Sequence, residues 1–172
     1  VDNAQVIVNP MFYSLGGTRL RAILRDGEKV VVQKTITASE STPLILPVKK
    51  AKLWSPESPF LYDLDYEVLD EQGNVVDQVH SYVGMRKIHA EGNRLYLNNE
   101  PYYLRMVLDQ GYYPESQWTA PSDSALKNDI LLSKAISFNG ARLHQKVFEE
   151  RFHYWADKLG YLTCGEMNSR GL

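Results

Sequence analysis

Leu20, Ala22 and Leu24 alternate with Arg19, Arg21 and Ile23, the two-residue period of a half-buried strand. Asp26-Gly27 follows, a hairpin signal because both residue types tolerate positive φ. Val30-Val31-Val32 and Thr35-Ile36-Thr37 are β-branched and resume the strand pattern before Pro43 and Pro47 break it. Tyr62, Leu64, Tyr66 and Val68 alternate with Asp63, Asp65 and Glu67. Gln72-Gly73-Asn74 turns the chain, and Val75 to Val83 brings it back. Short strands joined by turns predict an antiparallel β-sandwich that ends near Ile88.

The pattern then changes. Leu95 and Leu97 flank Tyr96, Asn98-Asn99-Glu100-Pro101 reads as a turn, and Tyr103 to Leu108 reads as a buried strand. Ser122 is a good N-cap for a helix reaching about Ser137, with Asp123 and Asp129 suited to its start. Asn139 to His144 reads as a short strand. Phe148, Phe152, Trp155, Ala156 and Leu159 fall at helical spacing, and Gly160 suits the left-handed residue that ends a helix. Tyr161 to Cys164 closes a strand–helix–strand–helix–strand series, the pattern of a parallel sheet. All 8 prolines lie at or before Pro121, which matches a β-rich front and a helix-bearing back.

Composition narrows the chemistry. The 172 residues are 44% hydrophobic and 23% charged, ordinary for a globular chain. A fold of this size buries roughly 70% of its unfolded surface, so its core needs no covalent staples. The net charge of −2 lacks the basic footprint expected of a nucleic-acid or anionic-membrane partner. A single cysteine, Cys164, excludes an intrachain disulfide framework and a thiolate zinc site. His80, His89 and His153 show no metal-ligand spacing, and no glycine-rich phosphate loop follows a strand, so neither a metal nor a nucleotide cofactor is expected. No apolar run approaches the roughly 18 residues of a membrane span. The start at Val1-Asp2-Asn3-Ala4 has neither a Met nor a signal-peptide pattern, so a processed or excised piece is expected.

Several segments, taken in order, resemble glycoside hydrolase family 2, which includes β-galactosidases, β-glucuronidases and β-mannosidases. Leu53-Trp54-Ser55-Pro56-Glu57-Ser58-Pro59-Phe60-Leu61-Tyr62 is similar to its LWSPE-P-LY segment, and Gly84-Met85-Arg86 to its G-x-R. Leu97-Asn98-Asn99-Glu100-Pro101 with Leu104-Arg105 resembles its LNG-P…LRG segment. Asn139-Gly140-Ala141-Arg142, Phe152 and Asp157-Lys158-Leu159-Gly160 resemble its signature N-x-x-R…F-Y…D-x-x-G-L. The resemblance implies an immunoglobulin-like β-sandwich over residues 1–88 and the N-terminal part of a (β/α)8 catalytic barrel over 89–172. A whole barrel takes roughly 250 residues. The family's two catalytic Glu residues lie beyond the fourth and seventh strands, so neither is assigned here. The implied parent is a retaining β-glycosidase, and the 172-residue chain alone is expected to be inactive.

The same resemblance implies the site residues. Arg142 would end the second barrel strand and support a catalytic carboxylate through charge-assisted hydrogen bonds. Where many members read R-x-S-H-Y-P, this chain has Arg142-Leu143-His144-Gln145-Lys146-Val147, so Gln145 takes the usual His position and His144 comes one residue early. Leu108-Asp109-Gln110 stands where Asn-Arg-His is usual. Asp109, Gln110, Glu166 and Asn168 follow the first and third strands, at the barrel face where active sites form. Each is a candidate for contacting a carbohydrate substrate. Asp109 could equally cap its own loop, and His144 could be a satisfied loop residue. Tyr112, Tyr113 and Trp118 could stack on sugar rings or pack the loop. Trp54 and Trp155 read as core, and Glu149-Glu150 as a solvated helix face. An incomplete barrel edge would invite self-association. The alternative is a non-catalytic β-sandwich module that binds carbohydrate or assembles domains.

Overall fold

The computed structural model describes residues 1–12, 18–38 and 43–167. Two units emerge, Val1–Leu53 with Phe60–Arg86, and Trp54–Pro59 with Lys87–Leu172.

The first unit is a β-sandwich. Strands β1 (Gln5–Val8), β2 (Arg19–Asp26), β3 (Lys29–Thr37), β4 (Leu44–Pro47), β5 (Tyr62–Leu69) and β6 (Val75–Val83) form two antiparallel sheets. One is the pair β1-β4; the other has the order β3-β2-β5-β6. The β2–β3 hairpin turns where Asp26-Gly27 predicts it, with Gly27 at φ 59°, and Gly73 at φ 94° turns β5 into β6. Ala22, Leu24, Leu64 and Tyr62 point inward against Leu44, Leu46 and Val6. β1 and β4 escaped the sequence reading because four-residue strands beside prolines carry little periodic signal. Ile23 departs from the simple alternation, since it is buried although it faces outward with Arg21 and Arg25. Those arginines pair with Glu67 and Asp65 on the adjacent strand.

The second unit opens with a small antiparallel sheet, β7 (Ile88–Glu91), β8 (Arg94–Leu97) and β9 (Glu100–Pro101). Ile88, the expected end of the sandwich, instead pairs with Leu97 in this sheet. Asn98 and Asn99 both have positive φ, 55° and 70°, as a tight β8–β9 turn requires. Next come β10 (Met106–Asp109), α1 (Asp123–Ala135), β11 (Gly140–Leu143), α2 (Glu150–Leu159) and β12 (Leu162–Gly165). Strands β10-β11-β12 lie side by side and parallel, as the alternating pattern predicts. Ser122 caps α1 by accepting the Ala125 N–H, and Gly160 at φ 71° ends α2.

One sheet face packs on the helices. Val107, Ala141 and Leu143 meet Leu126 and Ile130 of α1 and Phe152 and Ala156 of α2. The other face carries Met106, Leu108, Arg142 and Cys164, of which Leu108 is 52% exposed. The expected buried strand over Tyr103 to Leu108 therefore begins only at Met106 and is covered on one side alone. Trp54, 1% exposed, donates its indole N–H to the Asp157 carbonyl (2.8 Å), which ties the 54–59 segment to the end of α2.

Candidate functional site

In a parallel sheet all strands end on one side, and the register aligns Asp109, Leu143 and Gly165 as the last row. The next residues of each strand, Gln110, His144 and Glu166, therefore stand side by side. Arg142 donates from Nε to Glu166 Oε1, and the Gln145 N–H donates to Glu166 Oε2 (3.1 Å). Gln145 has φ 54°, in the left-handed region, so the chain turns sharply just after β11. The Arg142 hydrogen bond, helped by the Gln145 N–H, holds the Glu166 carboxyl below its ordinary value. Glu166 is thus an ionised acceptor.

Gln110 donates from its side-chain amide to Nδ1 of His144 (3.1 Å), which leaves the proton of neutral His144 on Nε2. The His144 N–H continues the ladder to the Asp109 carbonyl (2.8 Å). Asp109 has a different environment. Its side chain lies on the helix-facing side, and Oδ1 accepts the Gly111 N–H (2.8 Å). Burial raises its pKa, and the negative charge of Asp129 adds to the effect. The structure brings Arg142, Gln145 and Glu166 into one cluster and joins Gln110 to His144 beside it. It turns the Asp109 carboxyl into its own loop. Asn168 lies outside the described residues.

Lys146 is a positioning residue that sequence reasoning passed over. Its Nζ donates to the carbonyls of Gly111 (3.1 Å) and Trp118 (2.6 Å) and sits 4.9 Å from the Phe148 ring centroid. It binds the loop after β10 to the loop after β11. Gly111 is needed there, because its φ is 62° and a Cβ would meet Lys146 Nζ at 2.8 Å and Phe148 Cζ at 2.9 Å. Only its place two residues after a strand end hinted at this role.

The aromatic candidates separate. Tyr112 and Trp118 pack on each other, with ring centroids 4.8 Å apart, and both remain exposed. Tyr113 donates to Asp129 Oδ2 (2.7 Å), and burial pushes its pKa up. Glu149 corrects the expected solvated face. It precedes α2, and its Oε1 accepts the Ala120 N–H (3.2 Å), so the carboxylate turns inward. A cleft of about 220 Å³ lies beside Leu143, Phe148, His153 and Glu166. That is smaller than the roughly 300–1,000 Å³ of most ligand pockets. Among the described residues no three His, Cys, Asp or Glu side chains are grouped to hold a metal ion.

Residues 13–86 match the family described as glycosyl hydrolases family 2. A β-galactosidase of Pseudoalteromonas haloplanktis is 32% identical over 72% of this chain. A β-glucuronidase of Paenibacillus borealis is 30% identical over 91% of it. The chain belongs to glycosyl hydrolase family 2. It spans 12% of the first relative's length and 25% of the second's. The structure of a β-D-glucuronidase from Dictyoglomus thermophilum superposes on 98% of this family 2 chain with a TM-score of 0.82, covering 28% of that protein. At 24% identity that likeness is one of fold.

Proposed function

We propose that this chain is part of a retaining β-glycosidase. Residues 1–88 would be its immunoglobulin-like domain and residues 89–172 the opening strands and helices of its (β/α)8 barrel. The observation that carries the reading is the one-sided parallel sheet. Its helix-free face bears Arg142, and its strand ends bear the Arg142–Gln145–Glu166 cluster. A barrel has this construction, with helices outside, inner side chains in layers and chemistry at the strand ends. The relatives named for galactosides and glucuronides support a β-glycosidic substrate.

A retaining mechanism needs a nucleophile and an acid/base carboxyl about 5–5.5 Å apart. Glu166 is committed as an ionised partner of Arg142, and Asp109 faces the helices, so these two carboxyls do not make that pair. In this reading Arg142, Gln145, His144 and Gln110 contact substrate hydroxyls or steady a carboxylate supplied by later strands. The 172-residue chain by itself is then inactive.

The test is hydrolysis of aryl β-galactosides and aryl β-glucuronides by the longer protein that carries this chain. The expected result is turnover of one class by the longer protein and none by residues 1–172. Arg142→Ala in the longer protein is expected to lower kcat/KM by about 100-fold or more, as loss of a charge-assisted positioning group does. Turnover unchanged by Arg142→Ala would refute the assigned role.

A further inference from the structure

The first unit contains a cleft of about 570 Å³ lined by Lys29, Lys49, Lys50 and Lys52 over Val30, Val31 and Val32. Among the described residues Asp26 is the one carboxylate on its wall, and it pairs with Lys52 at 2.5 Å. Lys29, Lys49 and Lys50 make no ion pair with a described residue. A chain of net charge −2 thus concentrates positive charge in one concavity, where low-dielectric walls focus the field.

The backbone is shaped for this cleft at two points. Here the β2–β3 register shifts, with Leu24 opposite Val32 and Arg25 opposite Val30, so Val31 is the extra residue of a β-bulge. β3 is the edge strand of its sheet, so Val30 beside Arg25 and Val32 beside Leu24, on opposite faces, both reach the cleft. On the opposite wall Lys50 has φ 55°, a left-handed conformation uncommon for a long side chain. Lys52 is held in place by Asp26 and lies 4.6 Å from the Phe60 ring centroid, while its N–H donates to Tyr62 Oη (2.7 Å).

We infer that this cleft binds an acidic oligosaccharide of two or three units. Its carboxylate or sulfate groups meet Lys29, Lys49 and Lys50, and its C–H faces rest on the valines. The volume suits a ligand of that size. Lysines act as separate point charges, which suits acid groups spaced along a chain better than one bidentate phosphate. The choice of a carbohydrate over another polyanion rests on the glycosidase reading.

The test is calorimetric titration of the 172-residue chain with a trigalacturonate, a sulfated disaccharide, a neutral trisaccharide and citrate. Binding of at least one acidic sugar is expected, with none of the neutral one. Lys29→Ala/Lys49→Ala/Lys50→Ala is expected to weaken it at least about tenfold, since each exposed charge contact is worth up to about fivefold. The variant's thermal transition serves as the control for folding. Failure of both acidic sugars to bind would overturn the inference, as would binding indifferent to the triple substitution. Equal binding of citrate would overturn the carbohydrate assignment. Hydrolysis by the longer protein is a separate measurement, so either proposal can fail without the other.

Discussion

Asp65 shows how one residue can tie a sheet together. On β5 it accepts from His80 Nδ1 on β6 (2.8 Å) and from Arg25 Nε on β2 (3.0 Å). The His80 hydrogen bond, with that of Arg25, holds its pKa below the ordinary value against the opposing effect of burial. The folded pKa is therefore below the unfolded one, about 3.9. The ionised carboxylate stabilises the fold above the unfolded value, and that contribution is lost as pH falls through the folded one. Asp65→Asn is expected to cost about 1–2 kcal/mol at neutral pH. Urea titrations should show the gap to the parent chain narrowing at pH 3; a gap of the same size there would contradict this account. The alternation of Asp63, Asp65 and Glu67 was legible in the sequence as a polar strand face. The partners across the sheet were not, because register is set by pairing.

At the level of elements, the helices were legible because their signals are local. Ser122 and Gly160 mark ends that the chain uses, through an N-cap hydrogen bond and a left-handed residue. Gly160 has a second constraint that no local pattern reveals. A Cβ there would meet the Pro56 carbonyl oxygen at 2.4 Å. Lys134 lies in the same corner, donating to the carbonyls of Leu159 (2.6 Å) and Gly160 (2.7 Å). Gly160→Ala is therefore expected to destabilise the chain by about 2 kcal/mol or more, combining left-handed strain with the clash. A thermal transition within a degree of the parent would show that the Pro56 segment yields freely. The extent of burial was the weaker part of the sequence reading. Leu108 looks like a core residue by type, yet its face of the sheet is open.

For the molecule as a whole, that open face dominates. Leu108, Arg142 and Cys164 lie in one row on a sheet whose outer strands, β10 and β12, have free edges among the described residues. Exposed edges and apolar faces favour association. The isolated chain is expected to self-associate with rising concentration in sedimentation velocity. Leu108→Lys should shift it toward monomer while changing stability by less than about 0.5 kcal/mol, as for other exposed positions. A monomeric parent chain at high concentration would remove this expectation.

The sequence by itself determined what depends on neighbours along the chain: most strands, the hairpin turns, both helices with the N-cap of α1 and the closing glycine of α2, and the motifs of the family. It also placed Arg142, Gln145 and Glu166 near strand ends. The tertiary structure decided what depends on residues far apart in the chain. It joined Arg142 and the Gln145 N–H to Glu166, turned the Asp109 carboxyl toward the helices, and drew Trp54 to the end of α2. It also brought Lys29 of β3 and Lys49, Lys50 and Lys52 of the segment after β4 around one cleft. Hydrophobic period and turn chemistry act over a few residues, whereas register and charge pairing exist only once distant segments meet.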